Sequence, residues 1–144
     1  MLHTEGFVNF EKGGYLFNRP TSSCGRGNRH RFIPDISYID ETTWSQLSYE
    51  ERNKGFISCV PAVVVVLMTR MDKIEDLQAK VAKFNNAGTH EGVIVDTRAD
   101  RVWIYNRNQQ PYFTALAPIE FDSWPGFTLD CIAIRDARIQ EGFE

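Results

Sequence analysis

Long apolar runs are missing from this sequence. The eight residues of Pro61 to Met68 hold no polar group, but the longest apolar run is far short of the ~20 that carry a helix across a bilayer, and the N-terminus lacks the charged-then-apolar layout of a secretion signal. Cysteine is scarce. Cys24, Cys59 and Cys131 are odd in number and widely spaced, and none stands at zinc-finger spacing from His3, His30 or His90, so neither a disulfide framework nor a zinc module is expected. They read as buried or half-buried thiols in a reducing compartment. An excess of positive charge is also absent: the net charge is −3, which argues against indiscriminate nucleic-acid binding. Repeats and low-complexity linkers do not occur either. These absences leave a soluble, cytoplasmic protein. Its 144 residues suffice for one domain, 1–144, burying ~two-thirds of the surface of its unfolded chain.

The charge that is present is unevenly placed. Lys12, Arg19, Arg26, Arg29 and Arg31 fall between Lys12 and Pro34 with no acid among them, leaving 11 basic against 19 acidic residues elsewhere. The segment from Asn18 to His30 is polar, rich in Gly, Ser and Arg, and is expected to be an exposed loop. Its arginines (Arg19, Arg26, Arg29), with Arg31 just beyond, could touch phosphate; a solvated loop drawn to its own acidic neighbours is the plainer alternative.

The chain is organised around Pro61 to Gly88. Pro61 to Met68 carries no polar side chain and is rich in β-branched residues, which fits a strand buried on both faces. Beyond it the period changes. Ile74, Leu77, Val81 and Phe84 recur at spacings of three and four, with Asp72 as the expected N-cap and Gly88 just past the end, so Lys73 to Ala87 is predicted to be a one-sided helix laid on that strand.

Around this core, Gly6 to Phe10 and Tyr15 to Phe17 flank Glu11-Lys12-Gly13-Gly14 and are expected to pair as a hairpin. Pro34-Asp35 introduces a short strand, Ile36 to Ile39. Asp40 to Trp44 opens a short helix through Leu47, and Ser48-Tyr49-Glu50-Glu51 is a capping box for a second one ending near Gly55. Gly92 to Val95 and Arg101 to Tyr105 read as antiparallel strands around Asp96 to Asp100. Asn106 to Gln110 is a turn, Tyr112 to Leu116 a strand, and Trp124-Pro125-Gly126-Phe127 a late corner. The class is α/β, or mixed α+β, built on a central sheet.

A proline-aspartate opening one strand, an apolar strand some thirty residues later and an amphipathic helix resemble the Uma-two family of restriction-endonuclease-like proteins, within the PD-(D/E)xK nuclease superfamily. The resemblance runs from Gly6 to Leu129. It rests on six pieces in order: Arg31 to Ile39, Leu47 to Phe56, Pro61 to Asp72, Leu77 through Gly88, Gly92 to Tyr105, and Pro125-Gly126-Phe127. It implies a restriction-endonuclease-like fold and a magnesium-dependent nuclease site. In such a site two carboxylates on neighbouring strands hold the ion, and a lysine orients the attacking water.

Carried over residue by residue, the first metal carboxylate falls on Asp35. The second falls on Val66, and valine cannot bind a hard cation. The family's aspartate after the strand-opening proline is replaced by Ala62, and the superfamily's lysine position is Met68. As in relatives that move the lysine onto the helix, Lys80 is the candidate, with Gln78 on the opposite flank of the apolar stripe. Each has a plainer alternative: Asp35 as a turn residue after proline, Lys80 as a surface lysine, Val66 as packed core. The family's leading helical segment is also missing, which implies a bare sheet face and hence a homodimer or higher homo-oligomer.

Three functions compete. The first favoured by Val66 is a catalytically inactive relative, serving as a binding or assembly module or persisting as a remnant, with no cofactor. The second is a magnesium-dependent DNA endonuclease using Asp35 and Lys80, with Glu91 or Asp72 substituting for the lost carboxylate. The third is an unrelated small α+β protein that binds a partner through its sheet.

Overall fold

A computed structural model describes residues 6–10, 14–18, 29–32, 34–53, 56–57 and 59–140. In chain order they form β1 (Gly6–Phe10), β2 (Gly14–Asn18), β3 (Arg29–Phe32), β4 (Ile36–Asp40), α1 (Glu41–Ser45), α2 (Tyr49–Arg52), β5 (Phe56–Ile57), β6 (Val63–Leu67), α3 (Ile74–Ala87), β7 (Glu91–Asp96), β8 (Arg101–Asn106), β9 (Tyr112–Ala115), β10 (Ile119–Phe121), β11 (Trp124–Leu129) and α4 (Cys131–Gln140). A six-stranded sheet in the order β1-β4-β6-β7-β8-β9 is the frame; β10-β11 and β3-β2-β5 form two smaller sheets.

The apolar run becomes β6 and takes the central place its composition predicts, antiparallel to β4 and parallel to β7. Val63 to Val66 are all buried. A parallel neighbour requires a crossover, and α3 supplies it. One face of the sheet receives Leu77, Val81 and Phe84 of α3: Phe84 packs with Ile39 and Val64, while Leu77 and Val81 pack with Val66, Ile94 and Tyr105. Gly92 permits this contact, because a Cβ there would lie 2.6 Å from a Val81 methyl and 3.2 Å from a Val64 methyl.

The opposite face is covered by the β10-β11 hairpin and α4. Trp124 is stacked between Tyr38 of β4, 4.7 Å away centroid to centroid, and Phe127, 3.9 Å away. Asp130 caps α4 by accepting from the Ala133 N–H at 3.0 Å, and Cys131 and Ile134 turn the helix onto the same core. The bare face implied by a missing leading helix is therefore not found among the described residues, where both faces of the sheet carry packed elements.

Four local expectations are corrected. β1 and β2 do not pair with each other: β1 lies against β4 at the end of the large sheet, and β2 joins β3 and β5. A two-glycine connection is compatible with a hairpin but does not enforce one when each strand has another partner. The polar segment from Asn18 to His30 is strand at both ends, in β2 and β3. Asp72 is not the α3 N-cap. That position is Lys73, with no side-chain cap, and the Asp72 carboxylate instead accepts from the Thr69 N–H and hydroxyl at 2.9 and 3.0 Å. Trp124 to Phe127 belongs to strand β11, in which Pro125 is tolerated because a two-stranded sheet is all edge.

Candidate functional site

The Asp35 carboxylate sits at the carboxyl end of β6. The paired register runs Tyr38↔Val63, Ser37↔Val64, Ile36↔Val65, so one step further Asp35 stands opposite Val66. Its backbone N–H donates to the Val65 carbonyl at 3.0 Å, and its Oδ2 accepts from the Leu67 N–H at 2.6 Å. A side-chain oxygen thus does the work of a ladder carbonyl where β4 begins. The proline before it suits this break in the ladder, having no N–H to pair.

Val66 has no such polar setting. It is 4% exposed, within the cluster of Leu77, Val81, Ile94 and Tyr105. Alternation along β4, β6 and β7 puts Ser37, Val64, Val66, Gly92, Ile94 and Asp96 on the α3 face.

The two helix candidates are separated by the packing of α3. Gln78 lies beside the Tyr105 side chain of β8 and favours its ionised form, and Asn85, on the same flank, donates to the Tyr105 carbonyl at 3.3 Å. Lys80 lies on the other flank with Phe84, which packs over β4 and β6. Helical side chains lean toward the helix N-terminus, which for α3 is the carboxyl end of β6. Lys80 thus stands one helical turn nearer that end than Phe84, and it forms no ion pair among the described residues. Gln78 stands on the β8 side of the helix, beside Tyr105. Burial raises the Tyr105 hydroxyl above its ordinary value, and the Gln78 side chain works against that shift.

The proposed substitute carboxylates are committed elsewhere. Glu91 stands opposite Val63, at the far end of β6. It accepts from the Ser123 and Asp122 N–H groups at 2.6 and 3.2 Å, clamping the β10-β11 turn. Asp72 is bound into the Thr69 turn. Ala62 is buried core, and Met68 packs beside Val66. Arg19 and Arg26 lie outside the described residues; Arg29 and Arg31 are on β3.

Sequence reasoning did not single out two groups at this strand end. Asp96, at the end of β7, accepts from the Ala99 N–H at 3.1 Å and faces the Arg101 guanidinium at 3.7 Å. Its signal was available, a carboxylate directly ending an apolar strand that lies parallel to β6. Arg138 of α4 arrives from the opposite face and donates to the Met68 carbonyl at 2.6 Å and the Thr97 hydroxyl at 3.4 Å. It was hidden because the last helix was not recognised.

Among the described residues this strand end offers a magnesium ion one carboxylate, Asp35, with no second beside it. The ion wants one or two directed carboxylates besides water and phosphate. The position facing Asp35 offers only methyl groups, and Asp96 is two strands away, ~10 Å in the plane of the sheet. Among the described residues no three His, Cys, Asp or Glu side chains come together as a metal site. Cys59 and Cys131 are free thiols. Burial, with Asp40 and Glu51 nearby, pushes Cys59 up to about 12. Burial and Asp130 push Cys131 up to about 11. Neither is a nucleophile at neutral pH.

Comparison with known proteins bears on the family and the fold. The family model described as "Uma2: Putative restriction endonuclease" matches residues 4–131. No curated protein matches the chain. Among solved structures, one described as a putative nuclease belonging to DUF820, from Anabaena variabilis, superposes with a TM-score of 0.70 at 13% identity, covering 91% of this chain and 68% of its own. At that identity the likeness concerns the fold. No described helix is long and apolar enough to cross a membrane.

Proposed function

Because this chain belongs to the Uma2 restriction-endonuclease family, we propose that it is a member that has lost DNA cleavage and keeps the fold as a binding and assembly module. The observation that carries this reading is the pair Asp35–Val66: one carboxylate engaged by a backbone N–H, facing a valine sealed under α3. The reading extends to self-association and, through the arginines between Arg19 and Arg31, to contact with DNA. Free thiols at Cys59 and Cys131 support a reducing, cytoplasmic location. Were the chain an active endonuclease, magnesium would be its ion, with Asp35 and Lys80 serving it.

Plasmid nicking in magnesium and in manganese, whose looser geometry rescues weakened sites, tests the proposal. Background cleavage by the parent is expected. Nicking that disappears in Asp35→Ala would overturn the reading in favour of the active enzyme. Val66→Glu sharpens the test. It buries a charge in the strand interior, so manganese should raise the melting temperature of this variant and leave the parent unchanged.

A further inference from the structure

We propose that β9 is a self-association edge, along which two copies pair antiparallel about a two-fold axis centred on Phe113 and join their sheets into one. The inference rests on the assembly half of the reading above and is independent of the missing carboxylate.

The phase of the ladder fixes which backbone groups are available. Arg107 N–H donates to the His90 carbonyl, and Leu116 N–H to the Asp100 carbonyl. With the registers Trp103↔Ile94 and Trp103↔Phe113, odd-numbered residues of β8 bond to β7 and even-numbered ones to β9. On β9, Tyr112 and Thr114 therefore face β8, while Phe113 and Ala115 turn their N–H and C=O groups outward. No strand lies beyond β9 among the described residues.

Edge strands are commonly guarded by charge or by a bulge. This one has neither. Asn108 to Ile119 contains no charged residue, β9 runs in unbroken register, and Tyr112 and Phe113 are 47% and 54% exposed. The guard present is Pro111, and it selects the register. Pairing Phe113 with Phe113 of the second copy lets each donate to the other's carbonyl, and Ala115 N–H then meets the Pro111 carbonyl, so the missing proline donor is not needed where it matters most. Centring on Pro111 would leave the two-fold with no donor.

The side chains agree. A Phe113–Phe113 pair on the α3 face would extend the ring contact Phe113 already makes with Trp103, at 4.9 Å, and Tyr112 would face Thr114. Arg101, lying over the Trp103 and Phe113 rings, would stand from its counterpart by three strand spacings and four residues along the strand, roughly 20 Å in all, beyond the screening length of ~8 Å at physiological salt. The interface is small, so the dimer belongs to the weak, concentration-dependent class.

Sedimentation velocity from low to high micromolar concentration should show a rising dimer fraction in the parent and a monomer in Phe113→Lys. Ala115→Pro, which removes an outward donor and no bond to β8, should also weaken the dimer. Circular dichroism verifies that both variants are folded. Oxidative cross-linking, with the parent as control for the native thiols, reads the register. Phe113→Cys places two Cα atoms ~5.5 Å apart, within disulfide range, whereas Tyr112→Cys places them on the order of 8 Å apart. Phe113→Cys should thus cross-link readily and Tyr112→Cys poorly. A parent that stays monomeric throughout, a Phe113→Lys variant that still dimerises, or equal cross-linking at both positions would overturn the proposal. None of these outcomes bears on the nicking assay.

Discussion

The two faces of the six-stranded sheet are built differently. Under α3 the packing is mostly aliphatic and admits polar groups: Ser37, Gln78, Asn85 and Asp96 all lie on or beside it. Under the hairpin and α4 the core turns on an aromatic stack, Tyr38, Trp124, Phe127 and Phe121. A face that tolerates buried polar groups can host chemistry, because backbone and side-chain partners already exist there to satisfy them. The stacked face offers rigid packing instead. The candidate site lies on the first face, and the second holds up its far side: Arg138, rooted in α4, caps the Met68 carbonyl two residues beyond Val66.

The largest expected effects come from emptying either core. Phe84→Ala under α3 and Trp124→Ala in the stack should each cost about 3–5 kcal/mol in urea denaturation. If one is nearly silent, its face is not part of the cooperative core. Lys80→Ala, on the α3 flank, should stay below about 1 kcal/mol; equality with Phe84→Ala would remove the periodic reading of the helix.

Next is the contact distance of α3. Gly92→Ala forces a methyl into Val81, at 2.6 Å, and such overpacking costs about 1–3 kcal/mol. A neutral result would mean that α3 can lift from β7. Asp35→Ala tests the site itself, since it strips the acceptor from the Leu67 N–H. Loss of about 1–3 kcal/mol is expected, with Asp35→Asn retaining most of the stability because its carbonyl can still accept. A stability loss without any change in DNA cleavage would mark Asp35 as structural; the reverse would restore it as a metal ligand.

The face under α3 was legible from sequence because a 3.6-residue period and a polar-free strand are local signals. The central place of β6 followed from them. The other face was not. Its strand β11 contains Pro125 and its hairpin is bulged near Phe121, so neither alternation nor turn chemistry announced it. The α4 signal, Asp130 followed by Cys131, Ile134 and Arg138, was present but short and flanked by charge. At the site, Asp35 and Val66 could be read by resemblance and Lys80 by helix geometry. The binding of Glu91 to the hairpin turn and the placing of Gln78 beside Tyr105 could not, since both depend on tertiary neighbours far away in the chain.

The smallest effect distinguishes a positioned glutamine from a vestigial catalytic one. Gln78 lies beside Tyr105, whose hydroxyl is held above its ordinary value of 10.0 by burial, with the Gln78 side chain opposing the shift. A raised folded value means that the unfolded chain gives up this proton first. The stability tied to Tyr105 is then fully present below pH 10.0 and is lost as pH rises through the folded value. Gln78→Ala removes the group that favours the phenolate. Tyr105 should titrate at still higher pH, and alkaline unfolding should steepen, while stability at neutral pH falls by about 0.5–1.5 kcal/mol. Ultraviolet titration of the tyrosines, with Tyr105→Phe to identify the signal, measures the first, and urea melts at neutral and alkaline pH measure the second. Gln78→Ala in a Tyr105→Phe background should then change little, because the partner is gone. A large remaining effect would mean that Gln78 acts on something other than Tyr105, and the strand end that carries Asp35 would again be open to it.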